Sequence, residues 1–199
     1  MKRIAILVSG RGSNFEAIAL KIAAGELHAE IACVLSNNPE AKALDTAREL
    51  GIPAVSLPSK GIDTDTYAAM VCGALQPLQV DLICLAGFMR RVGQPLLDAY
   101  ATRILNIHPS LLPSFPGLHV QQQALDYGVK FSGCTVHFVD SGLDTGAIVA
   151  QAAVPVLDGD TADTLAARIL VEEHRVYSEA IALVLSGQYR IAGRSVIRR

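Results

Sequence analysis

Short apolar runs alternate along the chain with longer stretches in which apolar side chains recur at i, i+3 and i+4. A continuous apolar run of strand length suits a strand covered on both faces, and the longer period suits an amphipathic helix. Strands are predicted at 4–8, 31–35, 54–57, 82–85, 104–107, 133–139 and 148–156. Helices are predicted at 15–24, 41–50, 65–75, 95–100, 120–127 and from 161 to about 185. This alternation signals βαβ units, and therefore an open, mostly parallel, twisted α/β sheet flanked by helices. The last two strands have no helix between them. They are joined by the turn-rich Asp140-Ser141-Gly142-Leu143-Asp144-Thr145-Gly146, so an antiparallel pair is expected there. Beyond the last helix, Arg194, Arg198 and Arg199 suggest a solvated, frayed tail.

A length of 199 residues falls within the roughly 100 to 200 residues of one domain, so a single domain over 1–199 is expected. Hydrophobic residues make up 51% and charged ones 18%, ample for a buried core and incompatible with disorder. The net charge of −2 draws the chain toward neither nucleic acid nor anionic lipid, and neither is expected as a partner. No apolar run approaches the ~18 residues of a membrane span. Met1-Lys2-Arg3 and the apolar residues after it imitate a secretion signal, but Ser9-Gly10-Arg11 ends the run early, so a cytoplasmic location is expected. Cys33, Cys72, Cys84 and Cys134 have no C-x-x-C spacing, and the five histidines no i, i+4 pair. Neither a disulfide framework nor a metal site is expected.

The first strand runs into Ser9-Gly10-Arg11-Gly12-Ser13-Asn14 and then a helix, which places a glycine-rich turn at a helix N-terminus, a position suited to an anion. The loop is not a dinucleotide fingerprint, because Phe15 stands where G-x-G-x-x-G requires its third glycine. The second strand ends in Ser36-Asn37-Asn38, without the acid that would hold a ribose, and no Gly-Lys-Ser/Thr follows the loop. Ser13 and Glu16 also fit an S-x-x-E capping box that would use the same backbone N–H groups. Cap and phosphate site are both open on these residues.

Asn106 and His108 lie two apart at the end of a predicted strand, hence on one face at its carboxyl end, where open α/β sheets bind ligands. The proline-studded loop from Ser110 to Gly117 follows. A carboxamide and a protonated imidazole together can stabilise an oxyanion, and a carboxylate would orient the ring. Asp144 and Asp140, on their glycine-rich turn, are the candidates. His137, His119 and His28 read as structural or surface groups. Phe88-Met89-Arg90-Arg91 could form an apolar or cationic rim.

Taken together, these segments closely resemble the phosphoribosylglycinamide formyltransferases of purine synthesis that use 10-formyltetrahydrofolate. The resemblance spans essentially the whole chain. It rests on Ser9 to Asn14, Leu85-Ala86-Gly87-Phe88-Met89-Arg90, Asn106-Ile107-His108-Pro109-Ser110-Leu111-Leu112-Pro113, Gly133-Cys134-Thr135-Val136-His137-Phe138-Val139-Asp140 and Asp144-Thr145-Gly146. It implies one formyltransferase domain with a Rossmann-like sheet. It also implies that Gly12, Ser13 and Asn14 hold the phosphate of 5-phosphoribosylglycinamide and that Glu173 contacts its glycinamide amine. Met89, Arg90 and Val92 would line the pterin pocket with Asn106 and the Asp140 to Asp144 loop, and Asn106, His108 and Asp144 would do the chemistry. Many relatives carry an arginine for the folate's glutamate tail where this chain has Thr64.

The expected reaction is attack of the ribonucleotide's primary amine on the formyl carbon. Asn106 and protonated His108 would stabilise the oxyanion, Asp144 would support the imidazolium, and a water would carry the proton, with no metal and no covalent enzyme intermediate. Two alternatives differ in acceptor. Transfer to methionyl-tRNA goes with an added C-terminal RNA-binding domain, and hydrolysis of formyltetrahydrofolate with an added N-terminal regulatory domain; neither is expected here. A third is a non-catalytic sugar-phosphate binding module that keeps residues 10–14 and uses His108 only structurally.

Overall fold

Ile4, Ala5, Ile6, Leu7 and Val8 are all fully buried in the computed structural model, which describes residues 1–199. Successive strand side chains point to opposite faces, so a run with no exposed position means that both faces of the strand are covered. Residue contacts divide the chain into two compact units, Met1–Asn106 and Ile107–Arg199.

The first unit begins with β1 (Lys2–Val8), α1 (Ser13–Ala23), β2 (Ala29–Ser36), α2 (Lys42–Glu49) and β3 (Ala54–Ser56). It continues with α3 (Thr64–Leu75), a 3₁₀ turn at Gln76–Leu78, β4 (Leu82–Leu85) and α4 (Gln94–Ala99). The next strand, β5 (Ile104–His108), runs through the division. Strand order is β3-β2-β1-β4-β5, and every pairing is parallel. The order reverses at β1, so the carboxyl ends of β1 and β4 flank the crevice where open α/β sheets bind ligands. Phe15 and Ile18 of α1 and Leu44 and Ala47 of α2 supply buried apolar stripes at helical spacing.

The second unit contains α5 (Val120–Asp126), β6 (Phe131–Phe138), β7 (Ile148–Pro155) and the 25-residue α6 (Ala162–Ser186), then β8 (Tyr189–Ala192) and β9 (Ser195–Arg198). Its strand order is β6-β7-β9-β8. As expected, β6 and β7 are antiparallel, with a register shift between Val136 and His137. Thr161 caps α6 through a reciprocal capping box with Thr164, and Gly187 ends it at φ 67°. No helix is long and apolar enough to cross a membrane.

The α/β fold, the parallel strands and the antiparallel pair are those expected, and element ends differ from the predicted ones by a few residues. Two local expectations fail. The residues after α6 form the antiparallel β8–β9 hairpin rather than a frayed tail. The Ser13–Glu16 capping box is not made: α1 begins at Ser13, its N-cap is Gly12 in the left-handed region, and no side chain caps it. Gly12 at φ 84° shifts the cap one residue toward the N-terminus, and Ser13 becomes the first helical residue.

Candidate active site

The glycine-rich loop lines a cleft of about 280 Å³ formed by residues 9–14 together with Ala86, Gly87 and Met89. Gly12 has room for no side chain, since a Cβ there would lie 2.5 Å from the Cβ of Ala43. The loop is pinned by polar residues at the end of β2. Ser9 Oγ donates to Asn37 Oδ1 at 2.5 Å and accepts from the Met89 N–H at 2.8 Å, and Asn38 Nδ2 donates to the Ser9 carbonyl at 3.3 Å. Ser36-Asn37-Asn38, legible in the sequence only as a missing acid, is thus the buttress of the loop. With no side-chain cap on α1, nothing of the predicted box competes for the helix N-terminus, an arrangement suited to an anion. Asn14 is buried in the first turn of α1.

In the segment after β4, Met89 is largely exposed and Val92 half-buried. Arg90 forms no cationic rim. Its guanidinium donates to the Ser59 and Ile62 carbonyls, both at 2.8 Å, and stacks 4.7 Å over the Tyr67 ring. Burial pushes the Tyr67 phenol up to about 12 and keeps it neutral, so its hydroxyl donates to the Leu57 carbonyl at 3.0 Å. The Arg90 charge therefore fixes a loop of its own unit.

In the second unit His108 is nearly buried, with its ring held on both sides. Nε2 lies 2.9 Å from the Phe115 carbonyl oxygen, which only accepts, so Nε2 carries a proton. Nδ1 lies 3.6 Å from Asp144 Oδ2, within ion-pair range. Asp144 Oδ2 also accepts the Gly117 N–H at 2.9 Å. Asn106 is half-buried two residues before His108 on β5, on the same face by strand periodicity.

Asp144 has a second imidazole beside it. His137 Nε2 lies 3.7 Å from Asp144 Oδ1, and His137 Nδ1 donates to the Phe138 carbonyl at 2.8 Å. Burial holds this ring below the ordinary imidazole value, with the Phe138 contact and the Asp144 charge opposing. His137, expected to be structural, is thus a neighbour of the candidate carboxylate. The signal was available: Thr135 and His137 are buried polar residues two apart in β6, and buried polar groups need partners. Thr135 Oγ1 donates to the Ser110 carbonyl at 2.7 Å and accepts the Leu112 N–H at 3.0 Å, tying the proline loop to β6. Gln151 Nε2 donates to the Leu112 carbonyl beside it at 2.9 Å.

Asp140 does not orient an imidazole. Its Oδ1 accepts from Gly142 N–H at 3.1 Å and Thr145 Oγ1 at 2.6 Å, which closes the loop that presents Asp144. Asp144 itself sits at φ 55°, a left-handed conformation sparsely populated by residues other than glycine. Glu173 is buried on α6, where its charge helps raise the neighbouring Cys134 thiol, pushed by burial to about 12. No group of three or more His, Cys, Asp or Glu side chains is placed to hold a metal ion.

An imidazole bracketed by a carbonyl and a carboxylate at the carboxyl end of a strand, where open α/β sheets bind ligands, is an arrangement suited to proton or oxyanion chemistry. Comparison with known proteins narrows the class: residues 2–181 match the formyl transferase family, and the chain belongs to it. It is 41% identical over 186 residues to the phosphoribosylglycinamide formyltransferase of Bacillus subtilis, covering 93% of this chain and 95% of that protein. It is 48% identical over 189 residues to the trifunctional purine biosynthetic protein adenosine-3 of Drosophila melanogaster, covering 94% of this chain but spanning only 14% of the length of that relative. Among solved structures, glycinamide ribonucleotide transformylase 1 of Symbiobacterium toebii superposes with a TM-score of 0.96 at 49% identity, over 100% of this chain and 94% of that one.

Proposed function

We propose that the chain transfers the formyl group of 10-formyltetrahydrofolate to the primary amine of 5-phosphoribosylglycinamide, in the cytoplasm and as one formyltransferase domain over residues 1–199. The observation that carries this reading is His108, bracketed by the Phe115 carbonyl and Asp144 so that both ring nitrogens are donors in the imidazolium form. Formyl transfer to an amine needs such a group, because attack on the formyl carbon turns a carbonyl oxygen into an oxyanion.

In this reading, Gly12, Ser13 and Asn14 receive the ribonucleotide phosphate at the uncapped start of α1, and Glu173 contacts the glycinamide amine. Met89 and Val92 offer apolar surface to the flat pterin, and Arg90 contributes its backbone, its side chain being engaged elsewhere. Asp140 acts by shaping the loop around the pterin. The formyl oxygen takes over the Nε2–H now held by Phe115, while the Asn106 carboxamide donates the second hydrogen bond. Asp144 holds the proton on His108 from the other side, and a water relays the proton lost by the amine to the departing folate nitrogen. The substrate supplies the nucleophile, so no side chain becomes acylated and no step calls for a metal. Nucleic acid and membrane have no place in the reaction.

The test is an absorbance assay of 10-formyltetrahydrofolate with the ribonucleotide present or omitted. Ribonucleotide-dependent release of the deformylated folate is the expected result. Release without ribonucleotide identifies a hydrolase. No release in either case points to methionyl-tRNA as acceptor or to a bare binding module.

A further inference from the structure

The β8–β9 hairpin lies beyond residue 181, outside the segment that matches the formyl transferase family, yet it makes contacts within the loop that carries Asp144 and at the strand ends on both sides of it. Its two-residue turn, Gly193-Arg194, connects Ala192 to its cross-strand partner Ser195. The Arg194 carbonyl accepts the Ile148 N–H at 2.8 Å, just after the loop, and the Arg194 guanidinium donates to the Asp144 carbonyl at 3.4 Å, within the loop. The Tyr189 ring stacks on Phe138 with centroids 5.9 Å apart, just before the loop.

Each contact falls where the loop is tightest. Phe138 supplies the carbonyl that holds His137 Nδ1, and its own N–H donates to the Ala147 carbonyl at 2.9 Å. Gly146 packs so closely on the Phe138 carbonyl that a Cβ there would overlap it. Asp144 carries its carboxylate from a left-handed backbone, a conformation that persists only where the surroundings determine it. We propose that the C-terminal hairpin is the clamp that fixes this loop, and that Arg194 and Tyr189 are positioning residues for Asp144. Arg194 holds the peptide plane of the residue that supports His108, and Tyr189 backs the strand end from which the loop departs. Neither touches substrate.

The proposal rests on the formyl-transfer reading for its kinetic consequence but not for its structural one, so the test reads both. Steady-state kinetics and amide hydrogen exchange of residues 138–147 are measured for the wild-type protein, Arg194→Ala, Arg194→Lys, Tyr189→Ala and Tyr189→Phe, with Arg198→Ala as a control on the same hairpin. Arg194→Ala should lower kcat about fivefold, the scale of one hydrogen bond, with the ribonucleotide KM unchanged and faster exchange confined to the loop. Arg194→Lys keeps a donor and should recover part of the rate. Tyr189→Ala should act in the same direction, while Tyr189→Phe, which keeps the stacking ring, and Arg198→Ala should match the wild type. The proposal is overturned if both alanine variants at 189 and 194 keep wild-type kcat and loop exchange. It is also overturned if their losses appear equally in kcat, KM and melting temperature, as for a general loss of fold. A wild-type protein without turnover whose Arg194→Ala variant still exchanges faster in the loop refutes the formyl-transfer reading and leaves the clamp standing.

Discussion

The glycine-rich loop of the first unit and the imidazole–carboxylate cluster of the second are built by opposite means. The loop is a backbone device: Gly12 matters because it has no side chain, and the polar groups presented are those of a helix start. The cluster is a side-chain device, in which His108, Asp144 and His137 matter for their ring nitrogens and carboxylate oxygens, and backbone carbonyls at Phe115 and Phe138 set which nitrogens carry protons. A backbone site tolerates change in what surrounds it provided the chain path survives. A side-chain site tolerates changed neighbours only while proton positions survive. Substitutions in the first should therefore act on binding, and substitutions in the second on the rate of chemistry.

The sharpest way to break this comparison is His108→Ala. Loss of one oxyanion donor raises the barrier by about 3 to 4 kcal/mol, so kcat should fall between a hundredfold and a thousandfold, read by steady-state kinetics at saturating ribonucleotide. Next in size, Gly12→Ala forces a Cβ onto Ala43 from a left-handed backbone, a strain on the order of 1 to 3 kcal/mol. Ribonucleotide affinity should fall tenfold or more by calorimetric titration, with a smaller effect on kcat at saturation. Thr135→Val removes the hydroxyl that serves both Ser110 and Leu112 and strands buried backbone groups. Urea unfolding should then show a loss of about 1 to 3 kcal/mol.

The smallest effect concerns pH. Burial holds His137 below its ordinary value of 6.5, so the unfolded chain takes up a proton at pH values where the folded chain does not. The stability this residue permits is complete above pH 6.5 and falls as pH drops from there toward the lowered folded value. Urea midpoints of the wild type and His137→Gln compared between pH 8 and pH 5 should show a shallower acid slope in the variant.

The same contrast governs what could be read from the sequence. Apolar runs located β1, β2 and β4 because strands buried on both faces have few polar interruptions to blur them. Asn106 and His108 stood out because polar residues at a strand's carboxyl end have few structural reasons to be there. The Ser13–Glu16 box failed because a local capping rule does not see that Gly12, crowded by Ala43 and free to turn left-handed, takes the cap position first. His137 reads as structural from the sequence because the carboxylate beside it, Asp144, comes from seven residues on across a loop. The β8–β9 hairpin was hidden by its exposed arginines, although Gly193-Arg194 between Tyr-Arg-Ile-Ala and Ser-Val-Ile-Arg carries the glycine of a two-residue turn.

The central claim is that binding and chemistry are divided between a backbone cradle and an imidazole–carboxylate cluster, and His108→Ala tests it in one protein. Its ribonucleotide dissociation constant is measured by calorimetry and its kcat from folate release. The account predicts a dissociation constant within about twofold of wild type, worth less than one hydrogen bond, beside a kcat reduced at least a hundredfold. A variant that loses affinity while keeping its kcat would contradict the account.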